Sequence, residues 1–105
     1  MEKVILLPLV RDKLENLIHI LFEKEYFGFK QSAIDYVISI YKFIYTIPTQ
    51  QRKRKTLNPV FGTYYCQYVA NANTTYYIGF DVEDGVYLIK NITNNHSEDY
   101  PKFIK

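Results

Sequence analysis

The apolar residues of this chain change their spacing once, and that change constrains the fold more than any other feature. Before residue 49 they recur at intervals of three and four, which is typical of amphipathic helices. After residue 60 the period becomes two, as in strands. A chain of 105 residues fits one domain and leaves no room for two. We therefore expect a single domain, over residues 1–105, that combines helices and strands.

The N-terminal part predicts a strand followed by a helix. Lys3 to Val10 is rich in Val, Ile and Leu, which favours a first strand. Asp12 with Glu15 three residues later has the pattern of an N-cap and its capping-box partner. Apolar residues then recur at helical spacing, so a helix is expected over about 12–24.

A second helix is predicted before the polar middle of the chain. Ser32 with Asp35 repeats the capping pattern, and an apolar stripe follows until Pro48 ends the helix. Residues 49–60 have the composition of a polar loop.

Three strands are expected after this loop. Turn residues separate them at Asn71–Asn73 and at Glu83–Gly85, and the second turn has the composition of a tight hairpin. The predicted strands are 61–70, Thr74 to Val82 and Val86 to Thr93, followed by a short tail from Asn94 to Lys105.

The order β-α-α-β-β-β with a short C-terminal tail indicates an α+β fold. We expect a two-helix hairpin packed on one face of a small, mainly antiparallel four-stranded sheet. The other face would then be partly open to a ligand or partner.

Composition excludes several classes of protein. The single Cys66 excludes an intramolecular disulfide and a cysteine-rich zinc site. His19 and His96 are too few for most metal sites unless carboxylates help, and neither a metal nor a cofactor is expected. No apolar run approaches the about 20 residues that span a bilayer, and no signal-peptide cleavage site is evident. A cytoplasmic protein is therefore expected.

The positive charge is concentrated in one place. Residues 51–60 contain Arg52, Lys53, Arg54 and Lys55 and no acidic residue, which gives +4, whereas the net charge of the whole chain is +2. Such a patch attracts phosphate backbones or an acidic protein. A solvated loop explains the same residues equally well.

The most specific motif lies near the C-terminus, where His96-Ser97-Glu98-Asp99-Tyr100 follows the last predicted strand. This motif and the order of elements resemble the RelE/ParE toxin superfamily of bacterial toxin–antitoxin systems. The resemblance covers essentially the whole chain. It implies a toxin that enters the decoding site of the ribosome and cleaves mRNA, without a metal or small-molecule cofactor. It also implies a cognate antitoxin as partner.

The chain also departs from this family. Ribosome-dependent members place two basic residues on the first strand of the meander, where this chain has Tyr65 and Gln67. Family arginines would fall near Thr74 and Asn94, yet no arginine follows Arg54.

The residues that remain suit the chemistry of RNA cleavage. Histidine can act as an acid or a base near neutral pH, so His96 is a candidate catalytic residue, and Tyr100 could stack on a base or donate its hydroxyl. Alternatively, His96 is a loop residue that hydrogen-bonds the tail.

Further residues are candidates for RNA binding. Tyr65 and Gln67 share one sheet face, where they could contact bases, although Tyr65 could instead belong to the core. Lys90 could supply charge near the site, and Arg52 to Lys55 could dock on ribosomal RNA or bind an acidic antitoxin.

Two other functions stay open. A gyrase-inhibiting toxin would cleave nothing, and a degenerate family member would keep the fold and only bind a partner. The small number of matched catalytic residues favours the first alternative, and the absent arginines favour the second.

Overall fold

The structure is a computed structural model that describes residues 2–23, 30–50 and 54–104. Its elements, in chain order, are β1 (Lys3–Leu6), α1 (Pro8–Glu23), α2 (Lys30–Tyr45), a 3-10 turn (Ile47–Thr49), β2 (Arg54–Lys55), β3 (Tyr64–Asn71), β4 (Thr74–Glu83), β5 (Val86–Asn94) and α3 (Tyr100–Phe103).

The strands form one mixed sheet in the order β1-β5-β4-β3-β2. The first strand runs parallel to β5, and the other neighbours are antiparallel. The predicted α+β class is confirmed, with α1 and α2 on one face. The sheet has five strands where four were expected, because Arg54–Lys55 pairs with β3 inside the segment predicted to be a loop.

The main core lies between the two long helices and the sheet. Alternation along β3 and β4 turns Cys66, Tyr76, Ile78 and Phe80 toward the helices. Burying an aliphatic or aromatic side chain of this size stabilises the fold by about 1.5–3 kcal/mol. The helices and β1 contribute the buried residues Leu6, Val10, Leu14, Val37, Ile40 and Ile44.

The first helix begins earlier than predicted. It starts at Pro8, and the carbonyl of Leu7 accepts hydrogen bonds from the amides of Val10 and Arg11. Proline suits the first helical position because it has no N–H to leave unpaired. The predicted strand to Val10 and the predicted cap at Asp12 are therefore wrong, since Asp12 lies within the first turns of α1.

The second helix includes Lys30 and Gln31, so Ser32 lies inside it and is not its cap. It ends at Tyr45, and Pro48 lies in the 3-10 turn that follows, as expected from its missing N–H. None of the described helices is both long enough and apolar enough to cross a membrane.

The hairpin predicted at Glu83–Gly85 is confirmed. Asp84 and Gly85 have φ angles of 50° and 78°, as the tight turn between β4 and β5 requires. Farther along β5 the pairing with β4 shifts between Gly79 and Phe80, so Lys90 has no partner on β4.

The second face of the sheet is less open than expected. A smaller cluster, here called the aromatic cluster, packs there and consists of Phe61, Tyr65, Tyr77 and Phe103, with Tyr100 and Ile104 against it. The rings of Phe61 and Phe103 stack with centroids 4.7 Å apart, and the amide of Leu57 donates to the carbonyl of Phe103. The tail and the segment before β3 therefore cover part of this face together.

Candidate functional site

The turn after β5 is built from asparagine side chains. Oδ1 of Asn94 accepts hydrogen bonds from the amide of His96 at 2.8 Å and from Oγ of Ser97 at 3.3 Å. Short polar side chains favour such local bonds over continuation of a strand. They end β5 and place His96 at a defined position.

A second asparagine ties this turn to the turn between β3 and β4. Oδ1 of Asn95 accepts from the amide of Thr75 at 3.0 Å, and its Nδ2 donates to the carbonyl of Asn73 at 3.0 Å. The polar segment after β5 is therefore joined to the neighbouring hairpin, which restricts its movement.

The imidazole of His96 is oriented by the same carbonyl. Its Nε2 lies 2.8 Å from the oxygen of Asn73 and 3.3 Å from Oγ1 of Thr74. A carbonyl can only accept, so Nε2 carries the proton in this contact. In the neutral ring Nδ1 then has the lone pair, which is the arrangement that a general base requires.

His96 also lines a groove of about 670 Å³, here called the α1–β5 groove. It lies between α1 and the C-terminal half of β5, where β1 has already ended opposite Ile89. Its apolar lining comprises Leu14, Leu17, Ile20, Tyr76 and Ile92, and its polar lining comprises Lys13, Asn16, Thr93, Asn94, His96, Ser97, Glu98 and Asp99.

Lys13 is the residue of this groove that the sequence analysis missed. Its Nζ donates to Oδ1 of Asn91 at 2.6 Å and to the carbonyl of Ile92 at 3.1 Å. The available signal was its position on the apolar stripe of α1, three residues after Val10 and four before Leu17. A lysine at such a position lies against the apolar side of the helix, and here its ammonium reaches β5.

Tyr100 lies elsewhere, on the second face of the sheet. Its ring packs on Tyr77 with centroids 4.9 Å apart, and the two hydroxyl oxygens are 3.5 Å apart. Burial, followed by the contact with the Tyr100 hydroxyl, raises the pKa of Tyr77 to about 12. His96 lines the α1–β5 groove, whereas the ring of Tyr100 packs against the aromatic cluster.

The two residues predicted to contact bases differ in exposure. Tyr65 is only 7% exposed and packs edge-on against Tyr77, with centroids 5.8 Å apart. Its ring is therefore part of the aromatic cluster and is not free to stack on a base. Gln67 is on the same face and is exposed.

Lys90 is engaged in an ion pair. Its Nζ lies 3.4 Å from Oδ2 of Asp81 and donates to the carbonyl of Pro59 at 3.3 Å. Oδ1 of Asp81 accepts from the amide and the hydroxyl of Thr63, both at 2.8 Å. Partial burial raises the pKa of the Asp81 carboxyl, but the bonds from Thr63 and the charge of Lys90 outweigh this effect, so the pKa is lowered.

The basic run is only partly visible. Arg54 and Lys55 form β2, the edge strand, and both are exposed. Arg52 and Lys53 lie outside the described residues. The exposed side chains of β2 are free to meet a phosphate backbone or an acidic protein.

Within the described ranges, no three His, Cys, Asp or Glu side chains are grouped as ligands for a metal ion. Comparison of the chain with protein-family models, with curated proteins and with solved structures finds no match.

Proposed function

We propose that the chain is a toxin of a type II toxin–antitoxin system, similar to the RelE/ParE superfamily. In this proposal it acts in the cytoplasm as a ribosome-dependent endoribonuclease that cleaves mRNA without a metal, and a cognate antitoxin restrains it. The observation that carries the proposal is the orientation of His96 by the carbonyl of Asn73, at the rim of the α1–β5 groove.

In this reaction Nδ1 of His96 accepts the proton of a ribose 2′-hydroxyl. The 2′-oxygen attacks the adjacent phosphorus, and the bond from phosphorus to the 5′-oxygen breaks. The leaving oxygen takes a proton from water or from the imidazolium. The products are a 2′,3′-cyclic phosphate and a 5′-hydroxyl. General-base catalysis of this kind contributes about 10²- to 10⁴-fold to the rate.

The experiment is induced expression of the wild type and of His96→Ala without any antitoxin. Growth is followed, and new 5′ ends are mapped in total mRNA. We expect arrest and new ends for the wild type, and loss of both for His96→Ala. The matched control is His19→Ala, which removes the other histidine, an exposed residue of α1, and should retain both effects.

A second candidate function is supported by the aromatic cluster. The face where the resemblance would place RNA-binding residues is filled by Tyr65, Tyr77 and α3, and Lys90 is paired with Asp81. A non-nucleolytic protein that inhibits gyrase or only binds a partner fits these contacts.

The same expression experiment separates the two functions. Arrest without new 5′ ends would favour a binding target such as gyrase, and a supercoiling assay would then detect inhibition. No arrest at all would contradict both toxin functions and leave a partner-binding protein.

A further inference from the structure

The ammonium group of Lys13 has one more hydrogen-bond donor than its two acceptors use. It carries three N–H donors, and two of them are directed to Asn91 and Ile92. The side chain is half-buried and lines the α1–β5 groove. The third donor is therefore available to a molecule in the groove.

The charge of Lys13 is not neutralised by a carboxylate. Both of its acceptors are neutral oxygens, and the one ion pair among the described residues joins Lys90 to Asp81. A partly buried charge without a counterion is costly, so an anion that enters the groove would be stabilised there.

The position of this charge is fixed before any ligand binds. Asn91 is 6% exposed, and its Oδ1 accepts both from Lys13 and from the amide of Ile92 at 2.8 Å. Both acceptor sites of this oxygen are thus used, which holds the amide group and the ammonium together. A preorganised cation of this kind binds an anion without the cost of reorganisation.

The rest of the groove restricts the ligand. Leu17 and the exposed Ile20 provide an apolar surface for a flat ring, whereas Glu98 and Asp99 bring negative charge. A ligand with several phosphates would be repelled by these carboxylates. The volume of about 670 Å³ lies within the range of small-molecule sites.

We propose that the α1–β5 groove binds one nucleotide unit of single-stranded RNA, with a single phosphate on Lys13 and the base on the apolar surface. This inference rests on the proposed function, because it assigns a substrate contact to the groove that His96 lines. Lys13 supplies the fixed positive charge that the missing arginines do not.

The test is an NMR titration of the ¹⁵N-labelled protein with a dinucleotide that has one phosphodiester and a 2′-deoxyribose at the cleavage position. We expect saturable shifts in residues 91–98. Lys13→Gln should weaken binding by about tenfold or more, as expected for the loss of one charge-assisted hydrogen bond. Lys13→Arg should retain most of the affinity. Lys42→Gln, which removes an exposed helix lysine, should bind like the wild type.

A second variant keeps the test valid if Lys13→Gln unfolds, which circular dichroism would reveal. Glu98 is exposed, and Glu98→Gln should tighten binding of the dinucleotide. We expect ATP to bind the wild type more weakly than the dinucleotide does, and Glu98→Gln to reduce this difference. Four outcomes would each overturn the proposal. They are equal binding by the wild type and Lys13→Gln, chemical-shift changes centred on β2, tighter binding of ATP than of the dinucleotide, and no effect of Glu98→Gln.

The titration needs no cleavage, so it distinguishes the two proposals. If the wild type causes no growth arrest but binds the dinucleotide, and Lys13→Gln loses this binding, the groove proposal is supported and the toxin proposal is contradicted. Arrest that depends on His96 but persists in Lys13→Gln would support the toxin and contradict the role of Lys13.

Discussion

At the scale of single residues, neighbours of the same type have different roles because they face opposite sides of the sheet. Tyr76 points to the helices, where its hydroxyl lies 3.3 Å from that of Tyr36. Burial, more than this contact, raises the pKa of Tyr76. Tyr77 points to the aromatic cluster. Both of these rings are buried.

Gly79 allows the aromatic cluster to form. A side chain here would collide with the ring and the carbonyl of Phe61, which lies directly on this part of β4. We expect Gly79→Ala to lower the free energy of unfolding by about 1–3 kcal/mol, the usual cost of overpacking. Urea denaturation measures this change in the free energy of unfolding. The control is Gln67→Ala, at an exposed position on the same face. A change below about 0.5 kcal/mol would show that Phe61 moves aside freely.

At the scale of elements, the segment before β3 is held to the sheet by polar contacts as well as by aromatic packing. Asp81 and Lys90 bind it through Thr63 and Pro59, and the hydroxyl of Thr56 donates to the carbonyl of Gly62. The segment in turn packs on α3 through Phe61. The segment before β3 and the C-terminal tail with α3 are thereby joined.

The Asp81 contact predicts a pH dependence of stability. Because the pKa of Asp81 is lowered in the folded state, its contribution is present above the unfolded pKa near 3.9 and is lost as the pH falls further. We expect Asp81→Asn to destabilise the protein by less than about 1 kcal/mol at pH 7, because the pair is partly exposed. As the pH falls below the unfolded pKa and through the lower folded pKa, the two proteins should converge.

Urea unfolding at pH 7 and at a series of decreasing acidic pH values tests this expectation. Glu83→Gln, at an exposed position of the same strand, is the control and should show no such convergence. A difference between wild type and Asp81→Asn that stays constant with pH would mean that the carboxylate is not responsible.

At the scale of the whole molecule, the described basic residues lie in separate places. Lys13 lies in the α1–β5 groove, Lys90 is paired on the second face, and Arg54 and Lys55 are exposed on β2 at the edge of the sheet. In the proposed function, β2 docks on ribosomal RNA and the groove holds the cleavage site.

The charge of β2 predicts a salt dependence. The double variant Arg54→Gln, Lys55→Gln should bind ribosomes more weakly than the wild type. The slope of log affinity against log salt should fall by about one to two, since each phosphate contact contributes about 0.7–0.9. Binding is measured by cosedimentation over a range of salt concentrations.

The control is the double variant Arg11→Gln, Lys42→Gln, which removes one arginine and one lysine from exposed helix positions. Equal slopes for both double variants would show that net charge, and not β2, governs binding. An unchanged affinity in the β2 variant, with a weaker complex with an acidic antitoxin, would assign this strand to the protein partner.

The sequence predicts those features of the fold whose signals lie within a few neighbouring residues. The period of the apolar residues predicted both long helices and the three long strands, and Asp84-Gly85 predicted the hairpin turn, because these patterns act within a few residues. The two-residue β2 is too short to have a period, so only its pairing with Tyr64 and Tyr65 reveals it. The start of α1 at Pro8 was missed because Asp12 offered a stronger local signal.

The sequence by itself determined the α+β class and the order of the first strand, the two long helices and the three long strands, since periodicity, turns and length are encoded along the chain. Only the tertiary structure decided which candidates share a site. It placed Tyr100 on Tyr77 and brought Lys13 to Asn91, 78 residues later. Contacts at such separations depend on how strands pair and where a helix crosses them. The spacing of residues along the sequence does not predict that geometry.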